Sequence, residues 1–312
     1  MKEKYVMEED WDFLIILDAC RYDYFRDVYQ KYFGDGKLEK AFSPAIETIE
    51  WVEKNFREYY SDVIYISTTP FINSKKCMYS RGFCFDAKKH FYKIVDLWDW
   101  GWDYNIGTVR PEKVNKAALK EHLLHPDKRM IIHYMQPHAP YLSMEKLYLD
   151  MKKNDGREER KKFEDNIWKW LLTDKTKKIL TEKFMLIFGT EFIWKLNKIF
   201  HFKKVHPLHI EMAWRMIGRD GIIKAYVENL HRVLKCVQEI VENLHGRIII
   251  TSDHGELLGE NGLYGHGLPL PRHTKLVEIP WFAIDKKKEN ISRDEKEIVK
   301  DKILNLKRTR KL

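Results

Sequence analysis

Residues 247–256 read RIIITSDHGE, a short apolar run that stops abruptly at an aspartate, a histidine and a glycine. A continuous apolar run of this length is the pattern of a strand buried on both faces of a sheet. Runs of the same kind recur along the chain. Phe13–Leu17 (FLIIL) closes on Asp18, Val63–Ser67 reads VIYIS, Met130–Tyr134 (MIIHY) runs into Gln136–Tyr141, and Ile279–Ile284 reads IPWFAI. Helical spacing fills the intervals at Tyr22–Phe33, Ile49–Phe56, Pro111–His125 and Ile222–Leu244, and proline at position 111 suits a first helical turn. Buried strands alternating with helices predict an α/β fold, a three-layer sandwich whose largely parallel central sheet is covered on both sides. Ligands in such sheets bind beyond the carboxyl ends of the strands. Asp18, the segment Gln136–Tyr141 and the pair Asp253–His254 all follow strand ends, which predicts a single site.

Bulk composition narrows the class. The chain has 312 residues, 44% of them hydrophobic, and Lys plus Arg outnumber Asp plus Glu by 56 to 47, a net charge of +9. The surplus favours anionic partners such as phosphate esters or an anionic lipid surface, and no specific nucleic-acid binding is expected. Four cysteines, Cys20, Cys77, Cys84 and Cys236, lack the Cys-X-X-Cys spacing of a zinc ribbon or redox pair. Cys77 and Cys84 could bridge in an oxidising compartment, but four cysteines in 312 residues make no disulfide framework. The charged stretch Met1–Asp12 is no signal peptide and no run of eighteen apolar residues exists, so a cytoplasmic location is expected. Residues 142–204 are Lys-rich, contain tryptophan and break the strand–helix alternation; they are expected to form a helical insertion capping the site. Within them, 184–204 is apolar with basic flanks, either a helix packed on the core or a peripheral contact with an anionic membrane. The core would then comprise residues 1–141 and 205–290, with a basic tail at 286–312.

The polar clusters supply ligands and a nucleophile. Asp253 and His254 offer oxygen and nitrogen from one tight turn, a set suited to zinc or manganese. His266 stands between Gly265 and Gly267, where the backbone can approach a ligand closely. Asp18 is a carboxylate at an apolar strand end, costly there unless it caps a helix or holds a metal. Thr48 follows Ser43-Pro44-Ala45-Ile46-Glu47 and opens a helical stretch. A threonine in that place is an N-cap or, beside a divalent ion, a hydroxyl ready to attack phosphorus over the free N–H groups of the helix. His138 is fixed between Pro137 and Pro140 and can contact a substrate oxygen, protonate a leaving group or help hold a second metal.

These blocks together resemble the alkaline phosphatase and sulfatase superfamily. They are Asp18 at the first strand end, Ser43-Pro44 leading to Thr48, Pro137-His138-Ala139-Pro140-Tyr141, Ser252-Asp253-His254-Gly255-Glu256 and Gly265-His266-Gly267. Within it the chain is most similar to sulfatase-like proteins and to phosphoglycerol and phosphoethanolamine transferases. The resemblance implies an alkaline phosphatase-like sandwich and one firmly held divalent metal on Asp18, Thr48, Asp253 and His254. It implies phosphate-contacting or second-metal roles for His138 and His266, with His133 as a weaker candidate beside them. Arg21 is a candidate substrate contact or, with Asp23, a brace for the site. Sulfatases of this type carry a Cys or Ser in Cys/Ser-X-Pro-X-Arg, whereas Cys20 is followed by Arg21-Tyr22-Asp23, which argues against sulfatase chemistry. No carboxylate is visible near Gln136–His138 for a second metal. The expected activity is a metal-dependent hydrolase or transferase working on a phosphate ester, lipid- or glycan-linked, through a phospho-threonine intermediate. The alternatives are a sulfuric ester hydrolase on the same scaffold and a non-catalytic membrane- or glycan-binding pseudoenzyme.

Overall fold

The computed structural model describes residues 3–80, 83–154, 189–192, 194–195, 209–267 and 270–287. Seven strands form one sheet: β1 (Phe13–Leu17), β2 (Lys37–Phe42), β3 (Tyr60–Ser67), β4 (Phe91–Asp96), β5 (Arg129–Tyr134), β6 (Arg247–Thr251) and β7 (Glu278–Asp285). Their spatial order is β2-β7-β6-β1-β5-β3-β4. β6, β1, β5, β3 and β4 pair in parallel, whereas β7 runs antiparallel to both β6 and β2. The sheet is thus largely parallel, as the unbroken apolar runs predict, and β7 is the one reversed strand.

β1 lies at the centre with all five residues buried. Its alternate side chains feed two cores. Phe13, Ile15 and Leu17 pack with helices α1 (Tyr22–Val28), α3 (Pro111–Leu124) and α4 (His209–Val241), while Leu14 and Ile16 pack with Trp51 and Val52 of α2 (Thr48–Asn55). Each buried aliphatic side chain contributes about 1.5–3 kcal/mol relative to exposure, so a charge at any β1 position would empty one of the two layers. The register aligns the strand ends. Ile16 pairs with Thr251 of β6, and Leu17 pairs with Tyr134 of β5. The three loops that follow these strands therefore emerge side by side from one edge.

Several expectations shift in detail. β2 and β4 escape an apolar-run search because they sit at the two sheet edges, with polar or half-buried sequences KLEKAF and FYKIVD. The stretch 22–33 is α-helical only to Val28 and then tightens to a 3-10 turn over Tyr29–Lys31. The helix expected at Ile222–Leu244 begins at His209 and is interrupted at Gly218, whose φ of 65° and ψ of −172° only glycine adopts readily. Cys77 and Cys84 are bridged.

Part of the 142–204 stretch is described. Leu142–Met144 is a 3-10 turn leading into a helix at Glu145–Asn154. Tyr141, Met144, Tyr148 and Trp194 pack with Ile222, Tyr226, Leu258 and Tyr264. The apolar segment 184–204 falls largely outside the described residues, and so does the tail 286–312 beyond Lys287. No helix among the described residues is long and apolar enough to cross a membrane.

Candidate active site

β6 ends at Thr251 and the chain turns at Ser252-Asp253-His254. The turn is held by the Ser252 hydroxyl, which accepts the Cys20 N–H at 2.8 Å and donates to the Leu17 carbonyl at 2.6 Å. Ser43 donates to the Asp253 carbonyl, and Asp253 Oδ1 accepts the N–H groups of Ala19 at 3.2 Å and His254 at 3.0 Å. Gly255 is required next, because a Cβ there would stand 2.0 Å from the Lys275 carbonyl oxygen. Two backbone N–H groups thereby hold Oδ1 of the carboxylate, and Oδ2 is left to face Thr48 and His254.

Thr48 is the first residue of α2, and Glu47 occupies the N-cap position without a side-chain capping bond. The Thr48 hydroxyl does not cap its own helix. It donates to Asp253 Oδ2 at 2.7 Å and lies 3.4 Å from His254 Nε2. His254 Nδ1 is 2.9 Å from the Gly255 carbonyl, which can only accept, so the ring proton sits on Nδ1 and the Nε2 lone pair points into the site. That Nε2 is 3.3 Å from Asp253 Oδ2 and 3.8 Å from Asp18 Oδ1. His133 joins from below, its Nε2 3.8 Å from Asp18 Oδ2 and its Nδ1 2.8 Å from the Tyr65 hydroxyl. Candidate ligand atoms of Asp18, His133 and Asp253 all lie within 4.8 Å of one another.

The two carboxylates, Asp18 and Asp253, are shifted in opposite directions. Burial drives the Asp18 carboxyl well above its ordinary range, and the neighbouring Asp253 and Glu256 push the same way. Burial also acts on Asp253, but His254, His133 and the Thr48 hydroxyl together hold it below its ordinary range. Burial lowers His254 to about 4, so its imidazole is neutral at physiological pH. Asp18 Oδ1 and His133 Nε2 are buried without a hydrogen-bond partner. Buried polar atoms of this kind are costly unless matched. Two carboxylates, an imidazole and a hydroxyl around one point fit a divalent ion of the zinc or manganese type.

A second group adjoins the first. His138, Glu256 and His266 bring ligand atoms within 4.8 Å of one another. His266 Nδ1 is 3.1 Å from Glu256 Oε1, and its ring lies 4.3 Å from that of His254 and 5.0 Å from that of His138, centroid to centroid. Burial opposes protonation of His266, but Glu256 outweighs it and raises the imidazole. Burial, reinforced by His266, lowers His138 to about 4, and its Nδ1 has no partner. The carboxylate not seen near Gln136–His138 in the sequence thus comes from Glu256. Its place within Ser-Asp-His-Gly-Glu, two residues beyond His254, was the available signal.

Arg21 faces elsewhere. Its guanidinium grips Asp23 through two bonds at 3.0 and 2.7 Å, reaches Glu260 at 2.6 Å and the Glu256 carbonyl at 3.3 Å, and stacks over Tyr24. Lys275 completes the network on Asp23 at 2.7 Å. Cys20 is fully buried under the first turn.

A family model described as Sulfatase matches residues 57–303. The match takes in His133, His138, Asp253, His254, Glu256 and His266, while Asp18 and Thr48 precede it. No curated protein matches the chain. Among solved structures, the lipooligosaccharide phosphoethanolamine transferase EptA of Neisseria meningitidis, an integral membrane protein, aligns at TM-score 0.50 and 13% identity, over 88% of this chain and 47% of that one. This chain therefore spans about half the length of that protein. The periplasmic domain of EptC from Escherichia coli, in complex with zinc, aligns at TM-score 0.46 and 14% identity, over 90% and 74% of the two chains. An alkaline phosphatase superfamily protein from Vibrio parahaemolyticus aligns at TM-score 0.43 and 11% identity, over 91% and 62%.

Proposed function

The chain belongs to the Sulfatase family, and on that footing we propose that it is a metal-dependent hydrolase or transferase of phosphate esters with Thr48 as nucleophile. The observation that carries this reading is the Thr48 hydroxyl, at the N-terminus of α2, 2.7 Å from Asp253 Oδ2 and 3.4 Å from His254 Nε2.

Asp18, Asp253, His254 and Thr48 would hold the ion, with His133 supporting Asp18. A divalent ion there supplies Lewis acidity, easing ionisation of the threonine and balancing charge on a phosphoryl oxygen. The chain's own residues do the rest. Asp253 takes the Thr48 hydrogen bond and so aims an oxygen lone pair outward. The free N–H groups of the first turn of α2 meet the phosphoryl oxygens. As the Thr48 O–P bond forms, the hydroxyl proton passes to Asp253 Oδ2, the bond to the leaving alkoxide breaks, and His138 and His266 are the groups at hand to donate to it. Glu256, 3.1 Å from His266 Nδ1, orients that ring and raises its affinity for a proton. Water or an acceptor hydroxyl then displaces Thr48 from phosphorus.

Cys20 supports phosphate over sulfate chemistry. It is buried, its thiol is pushed well above the ordinary range by burial, and it stands beside Asp18 rather than in the Thr48 position. For substrate, the reading takes a lipid- or glycan-linked phosphate ester. The test is metal content together with turnover of bis-(p-nitrophenyl) phosphate, the monoester and the sulfate ester, with zinc and with manganese. Metal-dependent phosphoester cleavage supports the proposal, and the ratio of diester to monoester separates a diesterase or transferase from a phosphatase. Preference for the sulfate ester would overturn it. A protein that takes up no metal would be a pseudoenzyme.

A further inference from the structure

The polar loops at the sheet edge are tied to a single helix face. Asn229 and Tyr226 stand one turn apart on α4, respectively 1% and 0% exposed. The Asn229 amide nitrogen donates to the carbonyls of Pro137 at 3.3 Å, His138 at 3.2 Å and Pro140 at 3.3 Å. Its Oδ1 accepts the Leu142 N–H at 2.8 Å. One side chain thus binds both ends and the middle of the loop that carries His138. The Tyr226 hydroxyl donates to the Ala19 carbonyl at 2.8 Å and accepts the Arg21 N–H at 3.0 Å, which binds the turn that carries Asp18. Ala19 sits at φ 58°, a left-handed conformation disfavoured for any residue with a Cβ, so the turn needs outside support. The two loops also meet directly, the His138 N–H donating to the Asp18 carbonyl at 3.2 Å.

We propose that Asn229 and Tyr226 are positioning residues, a two-pronged clamp on α4 that sets His138 and Asp18 relative to each other. The inference rests on the functional reading above for its consequence in turnover, but the clamp itself is a matter of loop order. Both side chains are buried, and their bonds go to loop backbone. The prongs act on different loops, so their losses should differ in kind. Loss of the Asn229 prong frees His138 and burdens the leaving-group step. Loss of the Tyr226 prong frees Asp18 and burdens metal binding.

The test compares wild type, Asn229→Asp and Tyr226→Phe, using zinc and bis-(p-nitrophenyl) phosphate, with hydrogen exchange followed at 18–22 and 136–142. Asn229→Asp keeps the shape while setting a carboxylate against three carbonyl oxygens; if it does not fold, Asn229→Ser replaces it. For Asn229→Asp we expect kcat to fall about 10–100-fold at saturating zinc with zinc affinity kept. The deficit should be larger for a diester with a poorer leaving group, and faster exchange should be confined to 136–142. For Tyr226→Phe we expect zinc affinity to fall about tenfold, kcat to recover at saturating zinc, and faster exchange at 18–22. Unchanged exchange in both segments would overturn the clamp, as would both variants loosening both segments with one uniform loss for every leaving group. If wild type cleaves no phosphoester, the functional reading fails, while the two exchange maps still decide the clamp.

Discussion

The Thr48 hydroxyl and an Asp253 carboxylate oxygen, 205 residues apart in sequence, meet at 2.7 Å. Asp253 also receives two backbone N–H groups on its other oxygen, so Asp253→Asn can keep those bonds through its amide oxygen. What it loses is the negative charge facing Thr48 and His254. The expected outcome is a chain that still folds, with divalent-metal affinity down by about 100-fold or more and turnover lost with it. Chelator competition and circular dichroism on the same samples check this.

The proposed metal site links metal binding to pH through Asp18. Without metal its carboxyl is held above the ordinary 3.8, first by burial and then by Asp253 and Glu256. A carboxyl raised on folding adds stability below pH 3.8, and that contribution is lost as pH rises through the folded value. The ion requires Asp18 ionised, so metal-induced stabilisation should grow as pH rises across that interval. At free metal about 100 times Kd the gain is roughly 2.7 kcal/mol. Thermal unfolding with chelator and with zinc across a pH series checks it; a metal gain that shrinks with rising pH would contradict the assignment of Asp18.

The Arg21 network braces the same turn. Arg21 is almost fully buried and holds Asp23 through two bonds. Lysine cannot reproduce that fork, and Arg21→Lys is expected to cost about 1.5–3 kcal/mol at neutral pH. Burial alone would raise Asp23, but the bonds from Arg21 and Lys275 bring it down to about 2. A carboxyl lowered on folding stabilises above its unfolded value and loses that contribution as pH falls through its folded value. The gap between wild type and Arg21→Lys in urea unfolding should therefore narrow as pH drops from about 4 towards about 2.

Gly255 should be intolerant of any side chain. A methyl group would press on the Lys275 carbonyl oxygen at 2.0 Å, a backbone atom that cannot swing aside. Gly255→Ala is expected to destabilise by about 1–3 kcal/mol and to displace Asp253–His254. Loss of metal affinity should then exceed the loss expected from global unfolding, as read by metal titration well below the melting temperature.

What the sequence disclosed follows from where each residue lies. β1, β5 and β6 are buried on both faces, so their apolar runs mark them, and parallel pairing carries Asp18 and Asp253 to one edge. The edge strands β2 and β4 were hidden because exposure relaxes the hydrophobic demand on them. Thr48, whose spacing suits an N-cap, turned out to be engaged by Asp253 instead, a contact that no local pattern encodes. Glu256 stood in plain view in the histidine motif, yet its reach to His266 depends on the fold of residues 257–265. Asn229 and Tyr226 were invisible because a polar side chain on an amphipathic helix declares its partner only after three distant segments have met.

The most direct test of the central claim is to trap the enzyme in turnover of bis-(p-nitrophenyl) phosphate with zinc, by acid quench, and to map the modified peptide by mass spectrometry. Wild type should carry a phosphoryl adduct on Thr48. Thr48→Ala should carry none, and its turnover should fall by at least about 10³-fold while zinc still binds. Undiminished turnover in Thr48→Ala, or an adduct on any other residue, would contradict that claim.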